Sequence, residues 1–271
     1  MTGIVRGWCP GAHRPMMSGD GLVVRIRPHQ GRLTAAQALG LCNQSDRYGN
    51  GTIGLTNRAN LQIRGVAERD HIALLDGLAK LDLLDTKPEI EQRRNILVPP
   101  LWSPGNITDR LYHMLVSRLS EFPDLPGKFG FALDTGDKPV LSGDPADIRI
   151  EYNAVGILQV RADGASEGTE TDEDTMVDTT LDLVHWFMDM RYRDEQRMRD
   201  VVRRVHGSIL RSEPPMSPLQ PGPHDLGPVY GARFGQMVAG DLAQLLLHSE
   251  ACAMRVTPWH LFLMEGGQPV A

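Results

Sequence analysis

The chain has 271 residues, with 28 Lys and Arg against 34 Asp and Glu for a net charge of −6, and 41% of it is hydrophobic. That balance suits one or two folded domains with a large core and argues against a dedicated nucleic-acid binder, whose footprint would be basic. No apolar run approaches the ~20 residues of a membrane span and no basic-then-apolar leader opens the chain, so a cytoplasmic protein with no membrane or nucleic-acid partner is expected.

In chain order, residues 6–21 are rich in Gly and Pro and read as an ordered loop. A strand is predicted from Leu22 to Arg27, ended by Pro28, with Arg25 and Arg27 on one face. Thr34 is placed to cap a helix running to about Tyr48, which Gly49-Asn50-Gly51 stops. From Leu55 onward the residues alternate, with Thr56, Arg58, Asn60, Gln62 and Arg64 on one side and Ala59, Leu61 and Ile63 on the other. A period of two predicts one long strand. Its polar face carries two arginines and no acid, and beside the first strand it would collect Arg25, Arg27, Arg58 and Arg64 on a surface suited to an anion.

A helix is predicted over Glu68 to Leu84, followed by the basic turn Arg93-Arg94-Asn95 and a second helix capped by Thr108. Phe129 to Asp134 and Ile148 to Val160 read as strands of another sheet, with Lys128 at the start of the first. A long helix is predicted from Met176 to Val205. Its arginines between Arg191 and Arg204 read as partners of Asp194, Glu195 and Asp200 and as a match to the helix C-terminus. After a proline-rich connection, a strand near Val229, a helix from Gln236 and a strand from Ala253 to Met264 repeat the N-terminal order, with Thr257 answering Thr56. An internal duplication is the economical explanation.

Cys9, Cys42 and Cys252 stand far apart and form neither a CxxC knuckle nor a disulfide framework. Cys9 reads as a buried loop thiol. The nine His show no HxH or HxxxH spacing, so no metal ligand is assigned. Trp8, Trp102 and Trp259 read as core or cleft walls.

The segments Arg6-Gly7-Trp8-Cys9-Pro10-Gly11, Ser18-Gly19-Asp20-Gly21-Leu22, Leu55 to Gly65 and Arg255-Val256-Thr257-Pro258-Trp259 resemble the precorrin-3B synthases of the sulfite and nitrite reductase superfamily. The resemblance implies an α+β fold in which two ferredoxin-like half domains, 1–66 and 206–271, flank a tetrapyrrole-binding α/β domain, 67–205. It implies that Arg58, in the pattern Thr-x-Arg-x-x-x-Gln, and Arg94, in Arg-Asn-Ile, bind tetrapyrrole carboxylates. Lys128 resembles the first of two site lysines in sulfite reductases, and Gly130 stands in place of the second. Together with Arg64, Arg25 and Arg27 these make up the candidate substrate-binding set.

The activity implied is the conversion of precorrin-3A to precorrin-3B in aerobic cobalamin biosynthesis, by O2-dependent hydroxylation and lactone closure. The implied cofactors are a 4Fe-4S cluster and a non-haem iron. In the family the cluster cysteines follow the Thr-Pro-Trp strand, and this chain stops soon after it, so the iron–sulfur half is expected to be missing. Two readings follow: a synthase, either catalytic through an iron site not identified in the residues or completed by a separate chain carrying that half, or a non-catalytic tetrapyrrole-binding or carrier protein.

Overall fold

The computed structural model describes residues 11–136, 138–207 and 219–270; Trp8 and Cys9 lie outside them. In chain order the elements are β1 (Met16–Ser18), β2 (Gly21–Ile26), β3 (Arg32–Thr34), α1 (Ala35–Tyr48), β4 (Thr52–Leu55), β5 (Leu61–Val66), α2 (His71–Lys80), α3 (Pro88–Arg93) and β6 (Ile96–Leu97). They continue as α4 (Ile107–Ser117), β7 (Phe131–Asp134), β8 (Ile148–Tyr152), β9 (Leu158–Ala162), β10 (Thr169–Glu170), α5 (Met176–Met190) and α6 (Met198–His206). The last are β11 (Val229–Gly231), β12 (Gln236–Val238), α7 (Ala239–Ser249), β13 (Ala253–Val256) and β14 (Leu261–Glu265). Among the described residues no helix is long and apolar enough to cross a membrane.

The fold is the α+β arrangement anticipated. The first sheet runs β1-β2-β5-β4-β12 and the last runs β11-β14-β13-β3, so each terminal half lends one short strand to the other's sheet. Both halves bury their apolar faces in one core. There Leu41 of α1, Leu74 and Leu78 of α2 and Leu246 of α7 meet Ile53, Ile63 and Met254 from the sheets. Each such side chain, fully buried, contributes about 1.5–3 kcal/mol. The middle sheet, β10-β9-β8-β7-β6, packs with α4, α5 and α6 around a second core of Leu111, Phe131, Ile150, Val184, Phe187 and Val201.

Helix α1 starts as predicted: Thr34 and Gln37 form a reciprocal capping box. Four other expectations are corrected. The alternation from Leu55 to Arg64 spans two antiparallel strands, β4 and β5, with Thr56–Asn60 as the turn between them. Thr56 N donates to the Asn60 carbonyl at 2.9 Å, and Ala59 takes the left-handed conformation at φ 50°. The last predicted strand breaks in the same way, into β13 and β14 around Thr257–His260, with His260 at φ 59°. The two turns superimpose in chemistry as well, since Thr56 Oγ1 accepts from the amides of Arg58 and Asn60, and Thr257 Oγ1 from those of Trp259 and Leu261.

The long helix is two helices, α5 and α6. Asp147 of the central domain accepts from Met198 N at 2.9 Å and from Arg197 Nε at 2.8 Å, so a carboxylate from outside begins α6. Of the expected acid partners, Glu195 pairs with Arg204, but Arg199 turns to Asp163 instead. Helix α4 is capped by Asn106, whose side chain accepts from Asp109 N at 2.9 Å; Thr108 is buried and hydrogen-bonded to Thr135.

The second terminal half touches the central domain where Trp259 Nε1 donates to Asp144 Oδ2 at 3.2 Å. Burial pushes the Asp144 carboxyl up to about 6, with only partial relief from Trp259 and Arg149. A folded-state value above the unfolded one means that its contribution to stability is greatest below the unfolded value and is lost as pH rises through about 6. Asp144→Asn is therefore expected to remove a decline of ~1–2 kcal/mol in unfolding free energy between about pH 4 and pH 6. Urea titrations of both proteins across that range measure it, and parallel profiles would contradict the assignment.

Candidate functional site

The turn between β4 and β5 is held by its own Thr56 hydroxyl, which fixes Arg58 at the tip. From there Arg58 Nη2 donates to the carbonyl of Lys128 at 2.8 Å, across the boundary between the terminal halves and the central domain. Lys128 is exposed, at the end of a tight turn closed by Phe129 N on the Pro126 carbonyl at 2.8 Å. Two residues predicted from distant motifs thus share one surface. Gly130 has a steric reason for being glycine: an added Cβ would come within 2.5 Å of Asn95 Nδ2. Asn95 itself is fixed on the Phe129 carbonyl at 2.9 Å, so a second lysine could not stand at Gly130 without displacing it.

Arg25 and Arg27 lie at the end of β2. Arg27 is only 6% exposed, and its Nη1 donates to the Glu91 carbonyl. Burial pulls the Arg27 guanidinium down to about 10; Glu91 opposes this while neighbouring Arg25 and Arg94 add to it. Among the described residues, the Nε atoms of Arg25 and Arg27 are buried without a hydrogen-bond partner. Unmatched buried donors are costly, and these two arginines share that condition. Arg27 also lines a small cleft of about 110 Å3 with Arg14, Glu91, Gln92 and Gly127, the residue before Lys128.

Two of the six candidates are engaged by side chains of the protein itself. Arg94, taken from the sequence as open to a ligand carboxylate, is 4% exposed and closes a fork on Asp85 through Nε at 2.9 Å and Nη2 at 2.8 Å. Its Nη2 also donates to the Arg27 carbonyl at 2.7 Å, so it sets the backbone beneath Arg27. Arg64 lies on β5 two residues beyond Gln62, which faces Arg25 across the ladder, and its guanidinium is engaged by Ser18 Oγ at 3.2 Å and Asp20 at 3.5 Å. A hairpin turn, absent from a one-strand reading, separates Arg58 from Arg64.

Residues missed from the sequence are Arg14, hidden in a segment read only as loop, and Glu91. The Glu91 carboxylate accepts from Ala12 N at 2.5 Å and His13 N at 3.1 Å, tying that loop to α3. Arg255 was also missed: it bridges Glu265 and the carbonyls of Pro100 and Trp102. Asp85 and Glu91 gave no local signal, because each finds its partners only through the fold.

The described residues do not fit the iron groups. They contain no cluster of three or more His, Cys, Asp or Glu able to hold a metal ion. Burial pushes the Cys42 thiol up to about 12, which keeps it protonated and a poor ligand.

Comparison with known proteins matches residues 14–81 to the nitrite/sulfite reductase ferredoxin-like half domain. The chain is 30% identical to a precorrin-3B synthase from Sinorhizobium sp over 96% of its own length and 62% of that protein's. It is 30% identical to a ferredoxin–nitrite reductase from Synechococcus elongatus over 45% of the chain and 26% of the relative. Its fold resembles that of the NirA protein of Mycobacterium tuberculosis with a TM-score of 0.64 at 17% identity, covering 90% of this chain and 54% of that one. The chain therefore spans about three fifths of the precorrin-3B synthase and just over half of NirA.

Proposed function

We infer that this chain, which belongs to the sulfite and nitrite reductase superfamily, recognises a polycarboxylate tetrapyrrole of the precorrin-3A type in cobalamin biosynthesis. The observation that carries this reading is the junction of Arg58 with Lys128 at the domain boundary, backed by the buried donors of Arg25 and Arg27. A flat macrocycle ringed by acetates and propionates needs several fixed cations on one surface, because a single charge-assisted contact contributes only ~1.5–3 kcal/mol. Arg58 and Lys128 meet the rim carboxylates, Arg25 and Arg27 add positive potential from below, and Arg94 serves by locking Arg27 in place. Arg64 takes a more distant carboxylate or none.

Hydroxylation of the macrocycle with O2 and closure of a lactone require an oxidising iron group, which would supply the activated oxygen. Donors for such a group are not among the described residues, so what this chain's own side chains provide is binding and orientation. It takes part in the precorrin-3B synthase reaction, with the iron group held by residues outside those described, or it serves as a tetrapyrrole carrier. The 30% identity to a precorrin-3B synthase over 96% of this chain favours the first.

Titration with uroporphyrin, an octacarboxylate macrocycle, tests recognition. Arg58→Ala is expected to raise Kd about 10- to 100-fold, equivalent to one lost charge-assisted contact. Because Arg58 sits at a turn tip, the circular dichroism spectrum should not change. Equal affinity of the two proteins would remove Arg58 as a carboxylate anchor.

A further inference from the structure

A second cavity, of about 580 Å3, lies at the other end of β7 from Lys128, where Gly136, Lys138 and Val140 follow the strand. Its size falls within the range of pockets that enclose a single small molecule. The walls come from both units: Pro99, Pro100 and Trp102 on one side and Trp259 on the other. None of the six arginine and lysine candidates lines it.

Trp259 occupies in the second Thr turn the position that Arg58 holds in the first, two residues after Thr257 as Arg58 is two after Thr56. The two matching turns therefore differ in chemistry, one with a cationic tip and the other with an aromatic one. Both cavity indoles have their N–H groups already bonded, Trp259 to Asp144 at 3.2 Å and Trp102 to the Gln30 carbonyl at 3.2 Å. What they have left to offer is apolar ring surface. Arg255 rests against the Trp102 ring at 4.7 Å and holds that wall in position.

Two nitrogen donors stand among the lining groups. Lys138 is exposed and brings a mobile ammonium. His224 accepts the Leu226 amide on Nδ1 at 3.2 Å, which places the ring proton on Nε2 and makes that nitrogen a donor. Asn106, the capping residue at the start of the 11-residue helix α4, also lines the cavity, so the positive end of that helix lies beside it.

We propose that this cavity is a separate site for a small, flat aromatic carboxylate, with its ring against Trp102 and Trp259 and its carboxylate at Lys138 and His224. The proposal stands independently of tetrapyrrole binding at Arg58.

The test is calorimetric titration of the full chain with 2-naphthoate and with its neutral isostere 2-naphthamide. The expected result is saturable one-to-one binding, with naphthoate about tenfold tighter. Lys138→Met, at an exposed position that should not disturb folding, is expected to erase that preference and leave naphthamide binding unchanged. Trp259→Leu should weaken both ligands, and Arg58→Ala neither. Absence of saturable binding by either ligand, a preference retained in Lys138→Met, or one lost in Arg58→Ala would overturn the proposal.

Discussion

Replacing Arg94 with Met is expected to lower the unfolding free energy by about 3–5 kcal/mol, the cost of breaking a buried ion pair from one side. Arg94 and Asp85 have side chains 3% and 8% exposed, and the arginine meets both carboxylate oxygens. Burial alone would pull the guanidinium down, but Tyr112 and Asp85 together more than reverse it, so Arg94 stays charged. Without it, a carboxylate remains nearly enclosed with no cation, and the Arg27 carbonyl loses a donor. Urea unfolding followed by circular dichroism measures the loss. Adding Asp85→Asn to Arg94→Met should recover part of it, because the stranded charge is gone. A loss below 1 kcal/mol would mean that Arg94 is not the internal strut described and would reopen it as a ligand contact.

Glu265→Gln is the second large effect. Glu265 on β14 accepts from Arg255 Nε at 2.8 Å and from Arg32 Nε at 2.7 Å, joining a strand of the second half to one contributed by the first. Burial pushes this carboxyl up, but the two guanidiniums outweigh it and bring it down to about 2. A folded-state value below the unfolded one gives stability that is present above about pH 4.5 and lost as pH falls toward 2. A depression of this size is worth ~2–3 kcal/mol for a group that retains some solvent contact. Glu265→Gln should therefore be less stable than the parent by that amount at pH 7, and the difference should shrink steadily between pH 4.5 and pH 2. A difference independent of pH would point to packing rather than charge as its source.

Much of the scaffold was legible because its signals are local. Thr34 and Gln37 lie three residues apart and form their capping box without help from the rest of the chain. The repeat of strand, helix and strand, with Thr257 answering Thr56, likewise showed in the residues. The first hairpin turn did not, because the alternation resumed on either side of the single exception, Asn57, although the backbone reversed. The signal that should have prevailed was the Thr-Asn pair with a second Asn closing the turn, since such side chains bind nearby backbone amides. Helix α5 was overextended for a different reason: the carboxylate that starts α6 belongs to Asp147, 51 residues earlier. Which arginines stayed open was equally hidden. Arg58 and Arg94 carry comparable motifs, yet one meets an exposed lysine and the other an enclosed aspartate, and only the fold assigns those partners.

The exchange of β3 and β12 between the two outer sheets bears on how the molecule is made. Arg32 is made early, but its counter-ion Glu265 follows it by 233 residues, and its strand partner Arg255 also lies in the second half. The edge of β4 likewise waits for Gln236–Val238 before it is covered. Until β12 has emerged, the sheet that presents Arg58 therefore carries an open edge, the kind that invites wrong pairing. The sheet that carries the Arg58 turn has its full set of strands only once β12 has emerged, so the shape of that surface depends on a segment from the other half.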